Sequence, residues 1–351
     1  MKNWTLGWIA LVTVAMSFTA VAQPSERTQE RQREQAQRQL TQPGNNAPFW
    51  REVREGDKGY SSLPGKEKGV LILSTGESWR ELRNGPLTIY GGIALSVVFL
   101  GILAFFAVKG SIGLHGEPTG RMLRRFNTWE RLIHWTTAIT FLLLAFTGLA
   151  LLFGKHVLLP LIGHNLFSFI AAGAKIIHNF VGPVFIVCCV LLFITFVRDN
   201  FWRREDWLWV RRFGGLFSRG HAEPASHRFN AGEKAWFWGG LSLLGLLVGI
   251  SGLVLDFPNF EQTRRTMQIA HVLHLIGALL FMMGALGHIY MGTIGMRGAY
   301  RAMRTGYADE QWVKEHHALW YDDYRSGKVG RDIGRERPLA DPNEVNLGGN
   351  V

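Results

Sequence analysis

Five long apolar stretches interrupt an otherwise polar chain, at residues 86–108, 132–153, 176–197, 235–255 and 269–296. Each is nearly free of charge and reaches the roughly 20 residues that an α-helix needs to cross hydrocarbon. The pattern predicts an all-α membrane protein, with the last four helices forming a bundle (120–300) and the first an extra N-terminal transmembrane helix (86–108). A shorter apolar run, residues 6–21, follows Lys2 and ends in Ala20-Val21-Ala22, which is the layout of a secretory signal covering 1–22. Left uncleaved it would be a short anchor; in both cases the following segment is exported. Residues 23–85 are rich in Gln, Glu, Arg, Gly and Pro, and 26–39 hold almost no apolar side chain. Such a segment buries too little surface to offset its ordering entropy, so it is expected to stay partly disordered until a partner covers it. The run 70–73, with Trp50 and Trp79, is its adhesive patch.

Charge fixes the expected orientation. The chain has 38 Lys+Arg against 27 Asp+Glu, a net charge of +11, which alone could suggest nucleic acid. The basic residues cluster between apolar runs instead. Lys109, Arg121, Arg124, Arg125 and Arg131 fill one loop, and Arg198, Arg203, Arg204, Arg211, Arg212, Arg219, Arg228 and Lys234 fill another. The opposite loops hold only Lys155 and Lys175, then Arg264 and Arg265. The positive-inside rule therefore makes the rich loops and the tail (301–351) cytoplasmic, in agreement with the signal and without calling on nucleic acid. The chain is expected in a bacterial inner membrane, with lipid around the bundle. Arg125 and Arg131 are expected to snorkel to lipid headgroups or to pair with carboxylates of a cofactor.

The two cysteines, Cys188 and Cys189, are adjacent inside one span, which excludes a disulfide framework, a Cys-based metal site and covalent C-x-x-C-H haem attachment. Of twelve histidines, His115, His221, His227, His316 and His317 lie in polar cytoplasmic segments and His156 and His164 in an outer loop, where solvated surface is the expected role. His134, His178, His271, His274 and His288 lie in apolar runs, where an ionisable group should face a partner rather than lipid.

His274 and His288 are fourteen residues apart, about 40° from sharing a face and ~21 Å apart along the axis; His271 is about 100° off that stripe. His134 starts the second span at the cytoplasmic end, level with His288, and His178 starts the third at the outer end, level with His274. Two facing imidazoles at each depth are what a six-coordinate b-type haem requires, so two haem b groups are expected. Gly148, Gly182, Gly277, Gly284 and Gly292 share the faces of these histidines; they could admit a flat macrocycle or pack helices directly. Six-coordination leaves no open site, so haems held this way would carry electrons between an outer donor and, most simply, a quinone inside. Residues 229–234 offer hydrogen-bonding groups for it, while Asn230 and Glu233 also read as a helix capping box.

These features resemble the cytochrome b (gamma) subunit of respiratory formate dehydrogenases over residues 120–325. The resemblance rests on Arg131-Leu132-Ile133-His134-Trp135, Ile177-His178-Asn179-Phe180-Val181-Gly182, Phe229-Asn230-Ala231-Gly232-Glu233-Lys234, His274 with His288-Ile289-Tyr290-Met291, and His316-His317-Ala318-Leu319-Trp320-Tyr321. It implies a four-helix di-haem bundle, with His178 and His274 as axial ligands of the periplasmic haem iron and His134 and His288 as those of the cytoplasmic one. It also implies a menaquinone or ubiquinone pocket at Asn230, Gly232 and His288. An iron–sulfur beta subunit would deliver electrons from a molybdenum- or tungsten-containing alpha subunit. The chain departs from the pattern in residues 1–108 and at Glu233, where a Gln is familiar. The cytochrome b subunit of a membrane hydrogenase or thiosulfate reductase-like enzyme is the neighbouring reading, and a haem-free anchor or proton-relay protein the more distant one.

Overall fold

The computed structural model describes residues 76–215, 223–329 and 336–338, the helix α1 (Ala47–Glu55), and single positions between 30 and 70. The expected signal, most of the tract 26–39 and residues 71–73 lie outside the described residues. The chain divides into units 1–77 and 78–351. Among the described residues four helices are long and apolar enough to cross a membrane: α2 (Gly76–Lys109), α3 (Thr128–Asn200), α5 (Ala231–Asp256) and α6 (Arg264–Gly295), with α4 (Arg204–Arg211) between the second and third. α2 begins ten residues before the expected Pro86, because Pro86 lies in a π-helical turn, Arg83–Leu87, that accommodates its missing N–H.

α3 supplies two spans. Gly163 breaks it with φ 77° and ψ 172°, a conformation open to glycine and strained for other residues. The arms fold back as a hairpin: Trp129 Nε1 donates to Thr195 Oγ1 at 3.0 Å, the Phe141 and Phe185 rings stand 6.1 Å apart, and a Cβ on Gly154 would lie 2.8 Å from Phe167. These pairs are nearly symmetric about Gly163. α5 and α6 complete a four-helix bundle, and α2 lies against α6, where Gly91 lets Leu279 approach its backbone and Phe105 and Phe106 both meet the Tyr290 ring edge-on at 6.3 Å. No residue of the most apolar stretch of α2 is buried, so this helix is peripheral. The outward faces of all the spans carry large exposed apolar side chains, as lipid contact requires.

The densest core lies beyond the spans, at the end where α3 begins. β1 (Arg121–Arg124) is the middle strand of a small antiparallel sheet, flanked by β2 (Tyr307–Asp309) and β3 (Glu336–Pro338). With α7 (Ala299–Thr305), α8 (Glu310–His316) and α9 (Ala318–Arg325) it encloses Leu123, Phe126, Trp312, Val313 and Trp320 against Phe196, Phe237 and Leu241 of the bundle. Two arginines tie this cap together. Arg125 Nη2 donates to the Arg228 carbonyl (2.8 Å) and Glu233 (2.9 Å), while Arg228 donates to the Arg125 carbonyl (2.7 Å), Glu130 (2.7 Å) and Asp199 (2.6 Å). Both guanidinium groups also sit over Phe126 and Phe229. Arg125 is therefore committed to the cap and does not snorkel: the Arg228 carbonyl, the Glu233 carboxylate and two rings outcompete a lipid headgroup. Arg131 is likewise engaged, donating to the Arg304 carbonyl at 2.9 Å.

The expectation that His316 and His317 are solvated is also corrected. His316 is buried and bonds Glu223 through Nδ1 at 2.7 Å; His317 is 1% exposed and bonds the His227 carbonyl at 2.7 Å. Burial, reinforced by the Arg125 charge, holds His317 well below the ordinary histidine range, so it is neutral at pH 7. Their places in α8 and at the start of α9, against Trp312 and the segment holding Glu223 and His227, could not be seen while the tail read as a polar extension.

Two outcomes test the cap. Lys234 (1% exposed) pairs with Asp206 (4%) at 2.7 Å, so Lys234→Met leaves an uncompensated buried carboxylate and should cost about 3–5 kcal/mol; Asp206→Asn in addition should recover much of this, measured by thermal unfolding in detergent. For Glu315, burial raises the pKa, but hydrogen bonds from the His115 and Gly116 N–H groups and from Gln311 outweigh it and hold the carboxyl at about 2. A depressed carboxylate stabilises the fold above its unfolded pKa, so this contribution should be complete above about pH 4.5 and vanish as the pH falls towards 2. The melting temperature of Glu315→Gln should accordingly converge on that of the wild type in acid.

Candidate cofactor site: two histidine pairs

The bundle brings the four expected histidines together two by two. The His178 and His274 rings stand 6.1 Å apart, and the His134 and His288 rings 6.2 Å. Histidine–metal bonds of about 2.0 Å on opposite sides of one ion put the ring centres roughly 6 Å apart, so both pairs have the spacing of two axial ligands. Among the described residues no three His, Cys, Asp or Glu side chains converge as a self-sufficient metal site. A metal held by either pair therefore needs equatorial ligands of its own, which a porphyrin provides.

The His178–His274 pair is anchored symmetrically. His178 Nδ1 lies 2.9 Å from Thr147 Oγ1, and a Cβ on Gly148 would be 3.4 Å from its Cε1. His274 Nδ1 lies 3.2 Å from Ser251 Oγ and 3.1 Å from the Val248 carbonyl, and a Cβ on Gly252 would be 3.2 Å from its Cε1. Each imidazole thus leans on a hydroxyl–glycine dipeptide of a neighbouring helix, Thr147-Gly148 or Ser251-Gly252. Fixing Nδ1 in this way leaves Nε2 as the nitrogen available to a metal. A cavity opens beside the pair, lined also by Gly182, Gly249 and His271.

The His134–His288 pair is built differently. Trp236 stacks on His288 with ring centres 5.1 Å apart and planes 14° apart. The indole occupies the space that Gly284 leaves, since a Cβ there would be 2.7 Å from Trp236 Cζ3. Gly284 therefore serves an aromatic side chain rather than a macrocycle, and Gly277 packs against Leu247 and Val248 of α5. Gly148 and Gly182 do border the cavity at the other pair, whereas Gly292 has open space beside it. His134 Nδ1 is buried with no hydrogen-bond partner among the described residues. Two π-helical turns flank this pair, Trp236–Leu244 and Met291–Gly295, the kind of helix irregularity that often marks functional sites.

Three phenylalanines separate the pairs. Phe281 meets Phe141 at 4.9 Å and Phe185 at 6.1 Å. Each lies seven residues, about two turns, from a histidine on its own helix, and Phe281 is midway between His274 and His288. This aromatic layer, the two hydroxyl–glycine supports and Trp236 were not anticipated; the seven-residue phase shared by His134/Phe141, His178/Phe185 and His274/Phe281 was the available signal.

Asn230 and Gly232 lie where α5 starts, one turn before Trp236. Asn230 Oδ1 accepts from the Glu233 N–H at 2.9 Å and Glu233 Oε2 accepts from the Asn230 N–H at 2.9 Å, the expected capping box. Asn230 Nδ2 also donates to Glu223 at 3.0 Å, and a Cβ on Gly232 would be 2.8 Å from Trp209. Both residues thus have structural roles; among the described residues Asn230 Nδ2, which carries two N–H groups, makes one hydrogen bond, to Glu223.

A multi-pass helical membrane protein with two opposed imidazole pairs at different depths is the architecture of a membrane cytochrome b. The chain belongs to the prokaryotic cytochrome b561 family, whose model matches residues 125–306. It is 29% identical over 204 residues to the formate dehydrogenase cytochrome b556(fdo) subunit of Escherichia coli (strain K12), covering 57% of this chain and 92% of that one. It is 25% identical over 215 residues to the nitrate-inducible formate dehydrogenase cytochrome b556(Fdn) subunit of the same strain, covering 60% and 96%. The family implies haem b, and the ring spacing and buried imidazole nitrogens fit it.

Second contacts of axial ligands typically carry a 10–100-fold effect on metal affinity. With His178 as an axial ligand, Thr147→Val would weaken haem binding there by at least about tenfold in a haem titration, and Thr147→Ser would restore it.

Proposed function

We propose that this chain is the cytochrome b subunit of a formate dehydrogenase in a bacterial inner membrane, linking the enzyme to quinone. The reading is carried by the two opposed histidine pairs in a family fold whose relatives bear that name. His178 and His274 would hold one haem b towards the exported side, and His134 and His288 a second towards the cytoplasm. Haem bound there would supply reversible one-electron exchange. The chain's own contribution is to fix the ligand nitrogens through Thr147, Ser251 and the Val248 carbonyl, to keep water out with the Phe141–Phe185–Phe281 layer, and to seat Trp236 against His288.

Menaquinone or ubiquinone would sit beside His288, bordered by the α5 start, where Asn230 keeps one N–H for a quinone carbonyl and Gly232 keeps room for Trp209. An iron–sulfur beta subunit would dock on the exported face and relay electrons from a molybdenum- or tungsten-containing alpha subunit that oxidises formate. The basic loops 109–131 and 198–234 support a cytoplasmic C-terminus.

Membrane vesicles carrying the intact complex test this reading. Formate should reduce both the cytochrome and added quinone in the wild type; His178→Ala should abolish quinone reduction, and Asn230→Ala should spare cytochrome reduction while slowing quinone turnover. Full quinone reduction by His178→Ala, or a wild-type cytochrome that responds to hydrogen and not to formate, contradicts it.

A further inference from the structure

The cavity beside His178 and His274 is bordered on its outer side by a group from beyond the family-matched region. Arg83, in the π-helical turn of α2, lines it together with Lys175 and Asn179, against a single lining carboxylate, Asp256. Lys175 is exposed and donates to Asn179 at 2.9 Å. Arg83 is half-buried: one Nη donates to Asn84 at 2.8 Å, while Nε is buried with no partner among the described residues. Two further nitrogens around it are in the same condition. Trp79, one turn earlier on α2, packs edge-on against His271 at 5.4 Å, and Trp79 Nε1 and His271 Nδ1 are both buried without a hydrogen-bond partner. Buried polar nitrogens without partners are rare in folded proteins; two on residues lining the cavity, Arg83 and His271, with a third on Trp79 packed against His271, mark a place where acceptors belong, and the guanidinium makes that acceptor anionic.

We propose that Arg83 binds a carboxylate of the porphyrin held by His178 and His274, so that the helical segment preceding the family-matched region forms part of this cofactor site. The proposal rests on the assignment of haem to that pair. Arg83 is a positioning residue: it orients the macrocycle about the iron axis and places a positive charge beside it, favouring the ferrous form. Trp79 and His271 close the edge of the site. A lipid phosphate is the other anion that could reach Arg83 at a membrane surface, and it would leave the haem untouched.

Redox titration of the purified, haem-loaded full chain distinguishes these cases. In the wild type, the spectral component lost in His178→Ala identifies the haem of this pair. Arg83→Gln should lower the reduction equilibrium constant of that component three- to tenfold, roughly 30–60 mV for one electron, and leave the other component unmoved; Arg83→Lys should lie close to wild type. Two components with wild-type midpoints in Arg83→Gln overturn the proposal and point to lipid, whereas His178→Ala that loses no component overturns the haem assignment instead. Redox-difference infrared spectra with 13C-carboxylate haem give a second readout that needs only Arg83→Lys: its label-sensitive band should shift from wild type, and an unshifted band contradicts the contact.

Discussion

An imidazole placed in hydrocarbon needs a partner, and this constraint organises the bundle. Five histidines lie in spans whose outer faces are apolar, and four of them turn inward as two facing pairs. The Gly163 reversal in α3 brings His178 onto Thr147-Gly148, and the antiparallel course of α5 and α6 brings Ser251-Gly252 onto His274. Hydroxyl and glycine do separate jobs there: one fixes the ring's tautomer and direction, the other removes the side chain that would push the ring away. With Nδ1 occupied, Nε2 is the nitrogen each ring of the pair leaves available.

The His134–His288 end meets the same constraint by stacking. Trp236 covers His288 and fills the notch at Gly284, so the aromatic group and the glycine are complementary halves of one contact. Just beyond lies the ionic cap of buried Arg125, Arg228 and Glu130 with half-buried Glu233. Charges this sheltered contribute little net stability, because desolvation offsets attraction. Their effect is to fix the α5 start, and with it Asn230 and Trp236, relative to the first turn of α3, and so to hold His134 and His288 in register.

Spans and histidine pairing were legible because each follows from a one-dimensional rule: length in hydrocarbon and 3.6-residue periodicity. The fourteen-residue spacing of His274 and His288 needed no tertiary information. What stayed hidden depends on contacts between distant segments. Arg125 read as a snorkelling residue because nothing local shows that Arg228, 103 positions away, offers its carbonyl. His316 and His317 read as surface for the same reason, their partners Glu223 and His227 being 93 and 90 residues distant. Glycines were ambiguous in principle, and the structure divides them: Gly148 supports an imidazole, Gly284 an indole, and Gly277 a neighbouring helix.

The central claim is that each histidine pair binds one haem, and haem per chain in single-pair variants measures it most directly. A pyridine haemochrome assay should give about two haems b per chain for the wild type and about one each for His178→Ala and His134→Ala, with different low-spin components surviving in the two. A single haem in the wild type, or the same component surviving in both variants, would contradict the account.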